Sequence, residues 1–228
     1  MKRIERSRWL VLSIIFALTA GAGARAAPIV IANAGFESPS LGDNGFTSGS
    51  IDGWVAAGGG GRGVFNPTTT GLVAPTEGVQ VAYIDPDDRF GAASITQSLS
   101  TLISAGTRYV LEADFAYRLN CCGTPTFSLA LLAGGTAVAS FTGGPSEGFS
   151  NAAFKTATVE FVAPLSGPLL GQALGIRISS FAPFTTQIDF DNVRVNASPV
   201  PLPAAGLLFG TALAFTVGLG RRRLHRSA

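Results

Sequence analysis

Apolar and polar positions alternate through the middle of the chain. Between Arg108 and Arg118, the residues Tyr109, Leu111, Ala113, Phe115 and Tyr117 are interleaved with Arg108, Glu112, Asp114 and Arg118. A period of two belongs to a strand with one face against a core. Comparable runs cover 79–84, 94–99, 126–133, 136–141, 156–163, 173–179 and 186–195, and Gly134-Gly135 between two of them is a hairpin signal. Nothing between 27 and 199 carries an apolar stripe at helical spacing. Eight or nine strands in that span predict an all-β fold: two packed antiparallel sheets in a jelly-roll-like sandwich. A sandwich of this length buries a core without needing a metal or a disulfide.

Two stretches break the pattern. In the last run Ile188 and Phe190 share one face, whereas Val193 and Val195 fall on the other parity. A bulge near Asp191 or Asn192 would reconcile them, and bulges re-aim side chains. Residues 35–75 are Gly-rich and short of periodicity, which predicts a long loop. Its central run of glycines precedes no helix, so it is not a phosphate cradle. Trp54 and Phe65 flank those glycines. They either form an apolar platform for a ligand, with Tyr83 nearby in the next run, or pin the loop to the core.

The ends follow other rules. A basic start ending at Arg8, an apolar stretch from Trp9 to Ala20, and Ala24-Arg25-Ala26 read as a secretory signal over 1–26. Cleavage is expected before Ala27, with Ala22-Gly23-Ala24 as a competing site. At the other end, Val200-Pro201-Leu202-Pro203-Ala204 precedes an apolar run, then Gly220 and Arg221-Arg222-Arg223. Proline is tolerated in a first helical turn but not deeper. Residues 204–220 therefore predict a hydrophobic helix of roughly 25 Å, at the short limit for crossing a bilayer. The arginines would act as a cytoplasmic stop, leaving 27–199 outside.

Charge then changes the picture. The whole chain carries a formal +2, but residues 1–26 contribute +4 and 220–228 another +4. The middle keeps seven basic residues against thirteen acidic ones, a net of −6. Nucleic-acid binding needs a basic footprint on the domain, and there is none.

Chemistry is narrowed as sharply. The one histidine, His225, lies in the basic tail, which removes Ser-His-Asp, Cys-His and His-metal sites from the domain. Cys121 and Cys122 are adjacent, a spacing that disulfide geometry disfavours. A strained vicinal bridge, intermolecular pairing and free thiols all stay open. Carboxylates remain. One group is Asn33 and Glu37 at the start of the domain, and another is Asp189 and Asp191 in the last run. First and last strands commonly lie together in jelly rolls, so Glu37 and Asp191 could converge. Two such charges need a shared proton or a cation, for which calcium is the natural candidate.

Two resemblances add to this reading. The tail, with Val200, Pro201, Leu202, Pro203 and Ala204 before the apolar run and Arg221, Arg222 and Arg223 after it, resembles the PEP-CTERM sorting signal of Gram-negative bacteria. It is the V-P-L-P variant and lacks the glutamate of the commoner form. That resemblance implies an exosortase and export machinery as partners, membrane insertion through 204–220, and a final place on the envelope or outside the cell.

Within 29–196, Asn33-x-x-Phe36-Glu37, Asp52-Gly53-Trp54, Gln80 to Ile84, Gln97, Gly106 to Tyr109 and Asp191 to Arg194 resemble the galactose-binding-like, carbohydrate-binding-module sandwich. Their order is similar to that of the calcium-dependent cyclases of hapalindole-type indole alkaloids. The resemblance implies a structural Ca2+ held by Glu37 and Asp191, with Asn33 as a further ligand. It also implies, for a cyclase, an aspartate as general acid, Asp189 or Asp191, and aromatic residues such as Tyr83 around the substrate.

Taken together, the sequence describes a signal peptide (1–26), a β-sandwich (27–199) and a sorting signal (200–228). The sorting tail and the lack of a recognisable catalytic set favour a calcium-stabilised binding module for a glycan or extracellular polymer. The alternative is a calcium-dependent cyclase of a prenylated indole or terpenoid substrate.

Overall fold

The computed structural model describes residues 25–68, 72–86, 92–119, 122–181 and 186–200. Most of the signal segment, Cys121, and the sorting tail beyond Val200 lie outside the described residues. Among those described, no helix is long and apolar enough to cross a membrane.

Among the described residues eleven strands run in the order β1 (Ala27–Ile29), β2 (Val55–Ala57), β3 (Gly61–Phe65), β4 (Val81–Asp85), β5 (Ala93–Leu102), β6 (Thr107–Tyr117), β7 (Thr126–Ala133), β8 (Thr136–Gly143), β9 (Lys155–Val162), β10 (Ala173–Phe181) and β11 (Ile188–Pro199). One sheet has the order β3-β4-β11-β6-β9, with β1 also pairing with β11. The other has the order β2-β5-β10-β7-β8. Strand pairs in both are antiparallel, and the expected sandwich is the fold observed.

The period-two pattern decides which side chains meet. Leu111, Phe115 and Phe190 of the first sheet face Leu129, Ile176 and Ile178 of the second in one core. At its centre Phe115 stacks on Phe127 at 4.0 Å, and Phe149 and Phe190 close around the pair. Each such ring buried contributes roughly 1.5–3 kcal/mol. The parity break in β11 is a bulge. Its register with β6 shifts between Asp191 and Arg194, and Asn192 takes a left-handed φ of 52°. Phe190, Val193 and Val195 consequently reach the same core.

The Gly-rich stretch is more ordered than its composition suggests. It contains β2 and β3, too short to show a period. Trp54 and Phe65 are both buried, so they anchor the loop and present no exposed platform. Trp54 packs on Phe36, and the indole N–H points to the Asn33 carbonyl. Arg62 gathers the turn between β2 and β3, its Nη2 donating to the carbonyls of Gly58, Gly59 and Gly60. Cys122 is disulfide-bonded, which removes the free-thiol option for it.

Candidate active site on the outer face of the first sheet

Strand parity sets the site. Ile188 and Phe190 of β11 point into the core, so Asp189 and Asp191 point to the opposite, outer face of the first sheet. In register, Asp189 lies between Tyr83 of β4 and Ala116 of β6. A second, smaller apolar cluster covers this face: Phe65, Leu72, Val81 and Ala116, with Val73, Tyr83 and Phe154 against it. The result is a sheet face that is apolar where carboxylates emerge from it.

The two aspartates live in different surroundings. Asp189 is fully buried; its Oδ1 accepts from Gln187 Nε2 at 2.7 Å, and its Oδ2 has no hydrogen-bond partner. Burial pushes its carboxyl up to about 7, against smaller opposing effects from Gln187 and the Arg118 guanidinium. At neutral pH it therefore retains a large protonated fraction. Asp191 is also buried but well supplied. Its Oδ2 accepts from the backbone N–H of Thr76 and of Glu77, both at 2.8 Å, and from the Thr76 hydroxyl at 3.1 Å. Its Oδ1 accepts from Asn192 N–H at 2.7 Å. Burial still raises this carboxyl, to about 6.

Arg118 and Gln187 complete the constellation. The Arg118 guanidinium lies 4.6 Å from the centre of the Phe65 ring, and its Nη1 reaches Gln187 Oε1 at 3.4 Å. A chain of contacts thus runs from Phe65 through Arg118 and Gln187 to Asp189. Tyr83 donates its hydroxyl to the Thr47 carbonyl at 2.8 Å, and burial, followed by the Asp85 charge, raises its pKa. It stays a neutral phenol.

Glu37 and Asn33 sit at the neighbouring edge. Glu37 Oε1 accepts from the N–H groups of Val79 and Gln80, both at 2.8 Å. Asn33 closes its own turn, donating to the carbonyls of Ser38 and Asp52 and accepting from Ser38 N–H. Glu37 and Asp191 are thus brought to one segment, 76–80, which they hold by its backbone N–H groups. These donors, with Asn192 N–H, take Glu37 Oε1 and both oxygens of Asp191. Among the described residues no three acidic, His or Cys side chains converge as a metal site. Glu37 and Asp191, with Asn33, would be the side chains to hold the calcium that the resemblance implies, and no step below is routed through it.

Sequence reasoning missed Gln187, Arg118 and the Thr76–Glu77 donors. Gln187 was within reach, because it falls in the predicted run 186–195, where residues i and i+2 share a face. The donors were not, since a backbone N–H leaves no mark in a sequence.

The chain resembles known proteins over the same span. A family model described as HpiC1 cyclase matches residues 27–196. A Stig cyclase, Fisc from Fischerella sp. TAU, in complex with (3Z)-3-(1-methyl-2-pyrrolidinylidene)-3H-indole, is 29% identical with a TM-score of 0.65, over 78% of this chain and 100% of that one. A cyclase from Fischerella sp. TAU in complex with 4-(1H-indol-3-yl)butan-2-one is 30% identical with a TM-score of 0.67, over the same shares. A tandem CBM22 domain of Paenibacillus barcinonensis Xyn10C is 12% identical with a TM-score of 0.50, over 81% of this chain and 48% of that one, a likeness of fold alone. No curated protein matches the sequence.

Proposed function

The chain belongs to the HpiC1-like cyclase family, and from that premise we propose that it catalyses a proton-initiated ring closure of an indole-bearing, unsaturated substrate, with Asp189 as general acid. The observation that carries this is the free Oδ2 of Asp189: a carboxyl oxygen held without a partner on an apolar sheet face, in an acid raised to about 7. General acids work best with a pKa near the operating pH. Asp189 supplies a proton to a carbon–carbon double bond, a second π bond of the substrate attacks the resulting cation, and loss of a proton restores the acid. No atom is gained or lost, so no co-reactant is needed. Asp191 is the poorer candidate, because its oxygens already accept four hydrogen bonds. The indole class is supported by the indole compounds bound to the two Fischerella cyclases.

The test is turnover of a prenylated indole by the purified protein and by Asp189→Asn. Cyclised products formed by the first and lost in the second, with both folded, support the reading. Products that match the enzyme-free mixture in both would end it.

The two chain ends support a second statement, about place. The signal-like start and the sorting-like tail read as export, with transient anchorage through 204–220 and exosortase processing. In that setting a glycan or extracellular polymer is the competing ligand. Cell fractionation with and without the tail tests the location, and retention on the host's own exopolysaccharide tests the ligand.

A further inference from the structure

Both chain ends leave the sandwich at one end. Ala27 pairs with Ala197, so the segment before it runs out beside the end of β11. At that same end Val200 N–H donates to the Gly106 carbonyl at 2.8 Å. The loops there are 103–106, 134–135 and 163–172, and none contains an Asp, Glu, Lys or Arg, nor does 198–200. In a domain with thirteen acidic residues that is a marked segregation. The flanking charges are Arg25, two residues before Ala27, and Arg108 and Glu160, which neutralise each other in an ion pair.

This end also exposes apolar side chains. Leu165 is 72% exposed, Leu102 55% and Val162 49%, and Val200 is exposed beside them. They come from three segments that meet here: the end of β5, the end of β9 with the loop after it, and the end of β11. Leu165 lies over Gly106, where a Cβ would be 3.1 Å from its Cδ2; Val162 pairs with Arg108; and Leu102 ends β5 opposite Ala173. The candidate active site is at the other end, where Ile188, Tyr117 and Ile84 are in register.

We propose that this end is a membrane-facing surface: Leu102, Val162, Leu165 and Val200 rest in the phospholipid headgroup layer while the chain is tethered. The occupant follows from continuity. The apolar stretch 204–220 begins four residues after Val200, too few to carry the sandwich far from the bilayer it enters. An anionic headgroup layer would repel carboxylates, and this end presents none unpaired. Docked so, the sandwich holds Asp189, near the start of β11, at the end away from the lipid. The inference rests on the tether proposed for 204–220.

The test uses the full chain in phosphatidylethanolamine–phosphatidylglycerol vesicles, with an environment-sensitive fluorophore at Leu165→Cys or, at the opposite end, at Phe181→Cys. Lipids bearing a nitroxide near the headgroup should quench the probe at 165 at least about twofold more than at 181. Adding Leu165→Asp to a probe at Leu102→Cys should abolish quenching there while flotation with vesicles persists. Flotation with equal quenching at 165 and 181 would overturn the docking surface and leave the tether standing. Failure to float would remove the tether and the surface with it.

Discussion

Gln187 Nε2 donates to Asp189 Oδ1 at 2.7 Å, from two residues away just before β11 begins. Arg118 Nη1 lies against the other end of that amide, at Oε1, and so fixes which way it points. The donor holds the Oδ1 lone pair, which leaves Oδ2 to carry the proton. Gln187 is a positioning residue in this reading. Gln187→Leu should cost about 1–2 kcal/mol of stability from the lost buried hydrogen bond. The same variant should lower kcat of the cyclisation about tenfold with KM little changed, equivalent to roughly 1.4 kcal/mol in the barrier. Urea denaturation and steady-state kinetics check the two parts, and a change confined to KM would contradict the role.

Stability should fall as pH rises from 4 to 8, the reverse of ordinary acid denaturation. Asp189 has a folded value of about 7 and an ordinary value of 3.8, and Asp191 is shifted the same way, to about 6. With folded values above unfolded ones, the native state binds more protons between them. The stabilisation is complete below about 4 and is lost as pH climbs through 6 to 7. For Asp189 the span corresponds to on the order of 4 kcal/mol. Urea midpoints at several pH values measure it. Asp189→Asn should flatten the profile and exceed the parent in stability at pH 8, where a buried charge is no longer paid for.

The sandwich was legible because its strands are long and half-buried. The Thr126–Ala133 strand matches the sequence expectation to the residue, and the parity break at Asp191 foretold the bulge. β1 and β2 were not legible, because three residues cannot show a period and their partners, β11 and β5, lie far along the chain. β3, with two glycines in its five residues, was lost in the Gly-rich stretch. The carboxylates of the site were visible as residue types. What separates Asp189 from Asp191 was not. That difference lies in backbone N–H groups 114 and 115 residues away.

Asp191 holds the segment after Leu72 against β11. Asp191→Ala leaves the N–H groups of Thr76, Glu77 and Asn192 without their acceptor. Unsatisfied buried donors cost about 1–3 kcal/mol each, though water reaching an opened loop recovers part of it. A loss of about 3 kcal/mol is expected by urea denaturation. Hydrogen exchange at Thr76 and Glu77 should accelerate well before exchange in β6 or β10. Uniform acceleration across all strands would mean that Asp191 supports the core and not the segment.

Gly58 marks the tightest approach in the glycine run. Its φ is +79°, and a Cβ there would lie 1.9 Å from the Ala92 carbonyl oxygen. The first obstacle is conformational and the second is backbone against backbone, where no rotamer change offers relief. Gly58→Ala should destabilise by roughly 2–4 kcal/mol, since strain at a special φ and overpacking add. Displacing Ala92 would also disturb the start of β5, where Ala93 is in the core and pairs with Ser180. Gly49 is the control: its φ is +113°, but a Cβ there meets nothing. Gly49→Ala should therefore cost only the conformational part, about 1 kcal/mol. Equal losses at the two positions would show that contact with Ala92 contributes nothing.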